Sequence, residues 1–500
     1  MSLRPYQAEA VQAVEESWRE WDKSLLVMAT GTGKTRTASQ IICDRKPYGN
    51  SLFLVHRDEL INQFRNSFGE ITGKIKADES TILPVTCGSV QTMCRREYPA
   101  DLFKTIIVDE AHHAVSDSYL KVLNQFPGAK ILGLTATPTR SDKRELSKLF
   151  DGIAYEYGLR RAVQEGYLCK LVARTVPLDI DLSNVKVSVG DFELTGIAET
   201  LQPYLRDIAE SIKQYASDRK TIVFLPLVSI AQEFAEILRE VGMDAREVNG
   251  NSPDRKETLE WFDKAGKGTV LCNAMLLTEG YDCPSIDCVV VLRPTKVSGL
   301  YSQMIGRGTR TCEGKENLLI LDFLWLTTRH DLCRPATLIT SNEQEVEHVK
   351  KITTIDELDL FGAVTDAVEA RREALAKELE RQKKKKARLI DPLQFFISID
   401  AMDLEDYEPV FAWEREPATG KQIELLHKWN IETINMTKGK ASRIIDKLMS
   451  RKAQGMATPK QVLCLERFGY ENVGEWTFER ANKKISALAA ANWQRWRLRD

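Results

Sequence analysis

The segment Ala29-Thr-Gly31-Thr-Gly33-Lys34-Thr35 constrains this chain more than any other. It follows the apolar, strand-like run Ser24–Met28 and precedes a helical pattern. Glycines at positions 31 and 33 let the backbone wrap closely round an anion, and the free N–H groups at the start of the helix then face it. In that arrangement Lys34 reaches the outer phosphates of a nucleotide and Thr35 holds a divalent cation. The general phosphate-loop pattern has Gly five residues before Gly33, where this chain has Met28.

A loop of this kind needs a parallel sheet around it, and the sequence supplies one. Ser51–Val55, Thr105–Val108 and Ile131–Leu134 are short, β-rich and alternate with helical patterns. A second series follows at Thr221–Leu225, Thr269–Cys272, Asp287–Leu292 and Leu318–Leu321. The fold class expected is therefore α/β, with two tandem parallel-sheet lobes and a cleft between them. The boundaries expected are lobe one at 1–165, a connector with its own strands at 166–207, lobe two at 208–335, a charged helical linker at 336–414 and a helical tail at 415–500.

Ile106-Ile-Val108-Asp109-Glu110-Ala-His112 is an apolar strand ending in two carboxylates. A phosphate-loop sheet needs acids at that place. Asp109 would hold Mg²⁺ and Glu110 would orient the attacking water.

Together these residues resemble superfamily 2 helicases and translocases of the DEAH-lettered group, over about residues 3–335. The resemblance implies that the two lobes are RecA-like, that ATP and Mg²⁺ are the cofactors, and that each further motif has a role. Arg4 and Gln7, in Leu3-Arg-Pro-Tyr-Gln7, would read the adenine, and Thr30, Gly31, Thr32, Gly33, Lys34 and Thr35 would cradle the phosphates. His56 and Arg57, with Ser89, Gln91 and Thr92, would contact the nucleic-acid strand. Thr135-Ala-Thr-Pro138 would couple hydrolysis to lobe movement, and Ile222-Val-Phe224 opens lobe two. Thr278 would touch nucleic acid, and Gly280 and Asp282 the nucleotide. Gln303, Arg307 and Arg310, in Gln303-Met-Ile-Gly-Arg-Gly-Thr-Arg310, would form the arginine-finger motif. Arg307 and Arg310 are three apart, a spacing that places both on one helical face towards the phosphates. His112 and Gln303 stand where an RNA helicase of the DEAD-lettered group would show Asp and His. The arginine-finger string looks most like the motor subunits of type I restriction enzymes, with further likeness to DNA repair and phage recombination helicases. DNA, tracked 3′ to 5′, is the implied polymer, and RNA is the outside alternative. No spaced Asp…Glu-x-Lys set or His-Asn-His element appears in the tail, so a self-contained motor is expected rather than a restriction subunit.

The formal net charge of -2 hides an asymmetry. Residues 1–414 carry 53 Lys+Arg against 63 Asp+Glu, while 415–500 carry 17 against 9. Trp413, Trp429, Trp476, Trp493 and Trp496 lie in or beside that basic tail. The tail repeats internally: Ala418-Thr-Gly-Lys-Gln422 recurs as Ala457-Thr-Pro-Lys-Gln461, and each copy restarts at a Thr, 437 or 477. Thr-x-x-Gln is a capping box, so two tandem helical hairpins are expected. Basic charge with aromatic residues suits nucleic acid, with Arg495 and Arg497 beside Trp493 and Trp496 as candidate contacts. Trp429 and Trp476 read more simply as core residues.

Three functions are compatible with the motifs. One is a DNA helicase acting on single-stranded, forked or branched DNA in replication, recombination or repair. Another is a double-strand translocase that moves without unwinding. The last is an ATP-gated scaffold whose tail recruits a protein. Ten scattered Cys without a metal spacing, and no bilayer-length apolar run, lead to the expectation of a cytoplasmic protein, in a bacterial or phage-infected cell, with no membrane partner.

Overall fold

The computed structural model describes residues 3–55, 61, 64–65, 68, 72–77, 79–136, 140–183, 185–188, 191–274, 281–326, 333–340, 345–346, 349, 358–368, 407–429, 431, 433, 436–470, 473–490 and 493. Residues 1–367 form one compact unit and 368–500 a second.

Among the described residues the first unit holds two large sheets and one two-stranded pair. Its strands are β1 (Lys23–Met28), β2 (Ser51–Val55), β3 (Gly73–Lys76), β4 (Glu79–Thr81), β5 (Val85–Ser89), β6 (Thr105–Val108), β7 (Lys130–Thr135), β8 (Gly152–Tyr157), β9 (Lys170–Asp181), β10 (Val187–Ser188), β11 (Asp191–Phe192), β12 (Thr221–Phe224), β13 (Asp244–Val248), β14 (Thr269–Asn273), β15 (Cys288–Val291), β16 (Asn317–Leu326) and β17 (Leu358–Asp359). The first sheet runs β4-β3-β5-β2-β6-β7-β1-β8, with only the β3–β4 pairing antiparallel. The second runs β13-β14-β12-β15-β16-β9-β17, antiparallel only at β17. Such sheets carry helices on both faces, so their central strands are apolar throughout rather than alternating. Both faces of β12 and β15 are indeed buried. Val223 and Val290 pack into one core, and Ile222, Phe224 and Val289 into the other.

The second sheet corrects one expectation. The segment 166–207 carries strands as expected, but its β9 is inserted in the second sheet and pairs with β16 from Lys170↔Asn317 onward. Beyond it, β10 and β11 form a small antiparallel pair.

In the second unit, the helices Gly420–Lys428, Lys438–Ala453, Pro459–Arg467 and Phe478–Ala490 make two successive hairpins. Thr419 and Thr458 cap the first helix of each, with Gln422 and Gln461 returning the bond to the cap N–H at 2.9 Å in both. The same glutamines reach across the hairpin, donating to the Lys438 and Phe478 carbonyls at 3.3 Å. One side chain thus caps its own helix and fixes its partner. Trp429 and Trp476 pack against the two hairpin cores. Trp493 stacks on Phe468 and is 47% exposed. Among the described residues no helix is long and apolar enough to cross a membrane.

Candidate active site

The phosphate loop leaves the carboxyl end of β1. Gly31 and Gly33 both have positive φ, 89° and 86°, a conformation that costs a residue with a β-carbon. At Gly33 a β-carbon would also lie 2.6 Å from Gln7 Nε2. Gly33 is the N-cap of the helix Lys34–Arg45, so Lys34 and Thr35 stand on its first turn. Thr32 is buried and donates its hydroxyl to the Ala29 carbonyl at 2.7 Å, closing the loop.

Arg4 and Gln7 are brought to this loop. The Gln7 amide accepts the Arg4 N–H and donates to the Thr32 carbonyl, both at 3.0 Å. Tyr6 donates its hydroxyl to the same carbonyl at 2.8 Å. Beside them Tyr6 stacks on Tyr157 at 4.1 Å, Tyr167 meets Tyr6 edge-on, and the Arg4 guanidinium lies 5.2 Å from the Tyr167 ring. Sequence reasoning missed Tyr157 and Tyr167, since a tyrosine in a strand or loop carries no signal of its own.

Asp109 and Glu110 sit at the carboxyl end of β6. Glu110 is buried in a left-handed conformation with φ 49°, and its carboxylate lies 3.5 Å from His112 Nδ1. A non-glycine residue held there stores about 1–3 kcal/mol of strain, which the surrounding fold must override. Burial lowers the proton affinity of the Lys34 amine, opposed by Glu110 and Asp109 and reinforced by Arg307 and Arg310.

Those two arginines come from the second sheet. The helix Ser298–Gly306 carries the buried Gln303 and ends at Gly306. The expectation of one helical face for Arg307 and Arg310 is therefore corrected: Arg310 lies beyond the helix and forms an isolated bridge with Leu168. The turn fits against the phosphate loop. Thr309 Oγ1 donates to the Thr30 carbonyl at 3.4 Å, and a β-carbon on Gly306 would collide with Thr30 Cγ2 at 2.4 Å. Arg307 donates to the Tyr281 carbonyl at 2.6 Å, and Arg310 is ion-paired with Asp282.

Lys315 fixes this turn from behind. Its ammonium donates to the carbonyls of Arg310 (2.8 Å), Pro284 (3.2 Å), Gly308 and Ile286. It therefore ties the arginine-bearing turn to the segment that follows Asp282. Burial lowers its proton affinity. Nothing in the sequence marks this lysine, because all its partners are main-chain carbonyls.

Ser89 and Gln91 lie at the carboxyl end of β5, where the Ser89 hydroxyl donates to Gln91 at 2.7 Å, and Thr92 accepts the Ala77 N–H at 3.0 Å. Val55 of β2 pairs with Ser89, so the strand leading to His56 ends at the same place. His56, Arg57, Thr137, Pro138, Thr278, Glu279, Gly280, Arg495, Trp496 and Arg497 lie outside the described residues.

The cluster fits a nucleoside triphosphate. Lys34 lies within electrostatic reach of Glu110, Asp109, Arg307 and Arg310, beside a loop of forced glycines. Thr35 and Asp109 suit Mg²⁺, which takes few protein ligands and completes its shell with phosphate and water. Among the described residues no group of three or more His, Cys, Asp or Glu forms a resident metal cage.

Comparison with known proteins agrees with this geometry. Residues 1–140 match the family model "Type III restriction enzyme, res subunit", and residues 203–312 match "Helicase conserved C-terminal domain". The chain is 32% identical over 382 residues to "Putative ATP-dependent helicase IRC3" of Saccharomyces cerevisiae, covering 69% of this chain and 54% of that protein. It is 28% identical over 374 residues to the type I restriction enzyme EcoAI endonuclease subunit of Escherichia coli, covering 64% and 46%. The chain thus spans about half the length of these curated relatives. In fold it is similar to the DNA-bound type ISP restriction-modification enzyme LlaBIII, with a TM-score of 0.53 and 17% identity over 98% of this chain and 42% of that one. The first matched segment holds the phosphate loop, Asp109 and Glu110, and the second holds Gln303, Arg307 and Arg310.

Proposed function

We propose that this chain is an ATP-driven DNA motor that moves 3′ to 5′ and unwinds or remodels forked or branched DNA in replication, recombination or repair. The observation that carries the reading is the seating of the Gly306–Arg310 turn on the Thr30–Lys34 loop. Hydrolysis that needs groups from both sheets needs the sheets together, and a cycle of closing and opening converts each ATP into movement along a strand.

ATP would supply the phosphoanhydride that is split; Asp109 and Thr35 would hold Mg²⁺, which would neutralise phosphate charge. Lys34 neutralises the outer phosphates. Glu110 orients water for in-line attack, and Gln303, Arg307 and Arg310 stabilise charge on the departing side. Arg310 exchanges Asp282 for phosphate as the site fills, so Asp282 acts as its resting partner. The same reading sets the enzyme in the cytoplasm of a bacterial or phage-infected cell.

The test is ATP hydrolysis and strand separation by the full chain across single-stranded, duplex, forked and RNA substrates, with directional forks for polarity. Hydrolysis is expected to rise with DNA, and forks with a 3′ tail are expected to open. Equal hydrolysis with and without every nucleic acid would sink the proposal. The likeness to a restriction-enzyme subunit favours a second reading, duplex translocation without unwinding. Triplex displacement without fork opening would select it. The tail would then serve as a second nucleic-acid contact or as a protein dock, and a chain lacking residues 415–500 separates the two by which affinity it loses.

A further inference from the structure

We propose that Arg293 grips one backbone phosphate of the nucleic-acid strand at the carboxyl edge of the second sheet. This rests on the DNA-motor reading and adds to it a contact residue outside the motifs.

Strand β15 is buried from Cys288 to Val291, and the chain leaves the sheet at Leu292, whose N–H donates to the Phe224 carbonyl at 2.9 Å. Arg293 comes next and is only 8% exposed. Its Nε and Nη1 are shut off from solvent and have no hydrogen-bond partner among the described residues. Among the described residues the charge acting on it is Asp191. That carboxylate is already engaged: Oδ2 accepts from Thr295 Oγ1 at 2.6 Å, and Oδ1 accepts the N–H groups of Lys296 and Phe192 at 2.9 Å.

Two lysines beside the same sheet, Lys220 and Lys315, are treated differently. Lys220 donates to the Asp263 and Ala265 carbonyls and to Ser285, and Lys315 donates to four carbonyls. A guanidinium removed from water without such partners is a standing cost to the fold. The fold gains nothing visible in return, so the compensation has to come from a ligand. A planar fork of donors selects an anion with two oxygens to offer, a phosphate or a carboxylate.

Position favours phosphate. In open parallel sheets ligands bind beyond the carboxyl ends of the strands, where Arg293 stands. The neighbouring donors, Thr295 Oγ1 and Lys296 N–H, are committed to Asp191, so a small free anion would find one side chain and no cradle. A polymer needs no cradle, because it is held by many separate phosphate contacts of which this is one.

The experiment compares the full wild-type chain with Arg293→Met and Arg293→Lys. A labelled oligothymidylate of about 20 nucleotides is titrated by fluorescence anisotropy between about 50 and 200 mM salt. Arg293→Met is expected to bind roughly ten-fold more weakly, as for loss of one charge-assisted contact. The slope of log affinity against log salt should fall by about 0.7. Arg293→Lys should restore the slope and only part of the affinity. Without DNA, Arg293→Met should melt at the same temperature as wild type or higher, since an uncompensated buried charge has been replaced by an apolar side chain. Its affinity for a fluorescent ATP analogue should not change.

An unchanged affinity and slope would overturn the assignment. So would a lower melting temperature with an unchanged slope, which is the signature of a structural arginine. Inorganic phosphate that stabilises wild type but not Arg293→Met, with oligonucleotide binding equal in both, would show a free-anion site and also overturn it. Failure of wild type itself to bind any oligonucleotide would instead sink the DNA-motor reading and this proposal with it.

Discussion

In the first sheet the reactive groups stand directly on strand ends. The phosphate loop leaves β1, Asp109 and Glu110 leave β6, and Ser89 closes β5. In the second sheet the reactive groups stand one element removed, on a turn beyond the helix Ser298–Gly306, held by Thr30 in front and Lys315 behind. A group on a buried strand end is placed by the sheet itself. A group on a turn is placed by whatever holds the turn. The first sheet is therefore a fixed template and the second an adjustable one, which suits a site that must assemble and disperse in each cycle.

The sharpest way to break this comparison is to attack the template. Lys34→Ala should lower kcat for ATP by about a hundred- to a thousand-fold or more, through loss of a preorganised charge on the phosphates. Wild-type hydrolysis or unwinding by that variant would show that the template lies elsewhere. Glu110→Gln keeps the shape of the carboxylate and removes its charge. A loss in kcat of about a hundred-fold is expected, with binding of an ATP analogue retained. Loss of binding instead would place Glu110 on the nucleotide rather than on the water.

The same division explains what could be read from sequence. Ser51–Val55 and Thr105–Val108 occupy the residues expected, because strands buried on both faces are written as uninterrupted apolar runs. The capping boxes at Thr419 and Thr458 were legible because their partners lie three residues away. The placement of β9 was not, since its partner β16 lies far along the chain and pairing at that distance leaves no local pattern. Spacing alone also misled at Arg310. The helix stops at Gly306, and the tight approaches of Gly306 to Thr30 and of Gly308 to Leu318 are what the following turn accommodates. Motif letters pointed to Lys34, Glu110 and Arg307. The residues that act through backbone contacts or through the absence of partners, Lys315 and Arg293, needed the fold.

Lys315 offers a smaller effect and a finer test of the adjustable side. If it positions the arginine-bearing turn, Lys315→Met should lower kcat about ten-fold, with KM for ATP within about two-fold of wild type, because charge stabilisation is needed chiefly in the transition state. Lys315→Arg should recover part of kcat. A rise in KM with kcat unchanged would move Lys315 to ground-state binding. An effect on melting temperature alone would make it a structural lysine.

The smallest expected effect concerns the stability of the second sheet. Asp322 lies on β16 with a carboxylate oxygen 3.6 Å from Arg334 Nη1. Burial outweighs the attraction of that arginine and pushes the carboxyl up from near 4 to about 6. A carboxyl raised on folding binds its proton more tightly in the folded state. Its contribution to stability is therefore complete below about pH 4 and is lost as the pH rises to about 6. Over that window wild type should lose stability relative to Asp322→Asn, by at most about 3 kcal/mol. Exposed carboxylates such as Glu79 and Asp181, held low by Lys74 and by Ser183, work in the opposite direction and are common to both chains, so the difference isolates Asp322. Denaturant unfolding of the pair at about pH 4, 5, 6 and 7 reads it directly. A pH-independent difference would return Asp322 to an ordinary ion pair with Arg334.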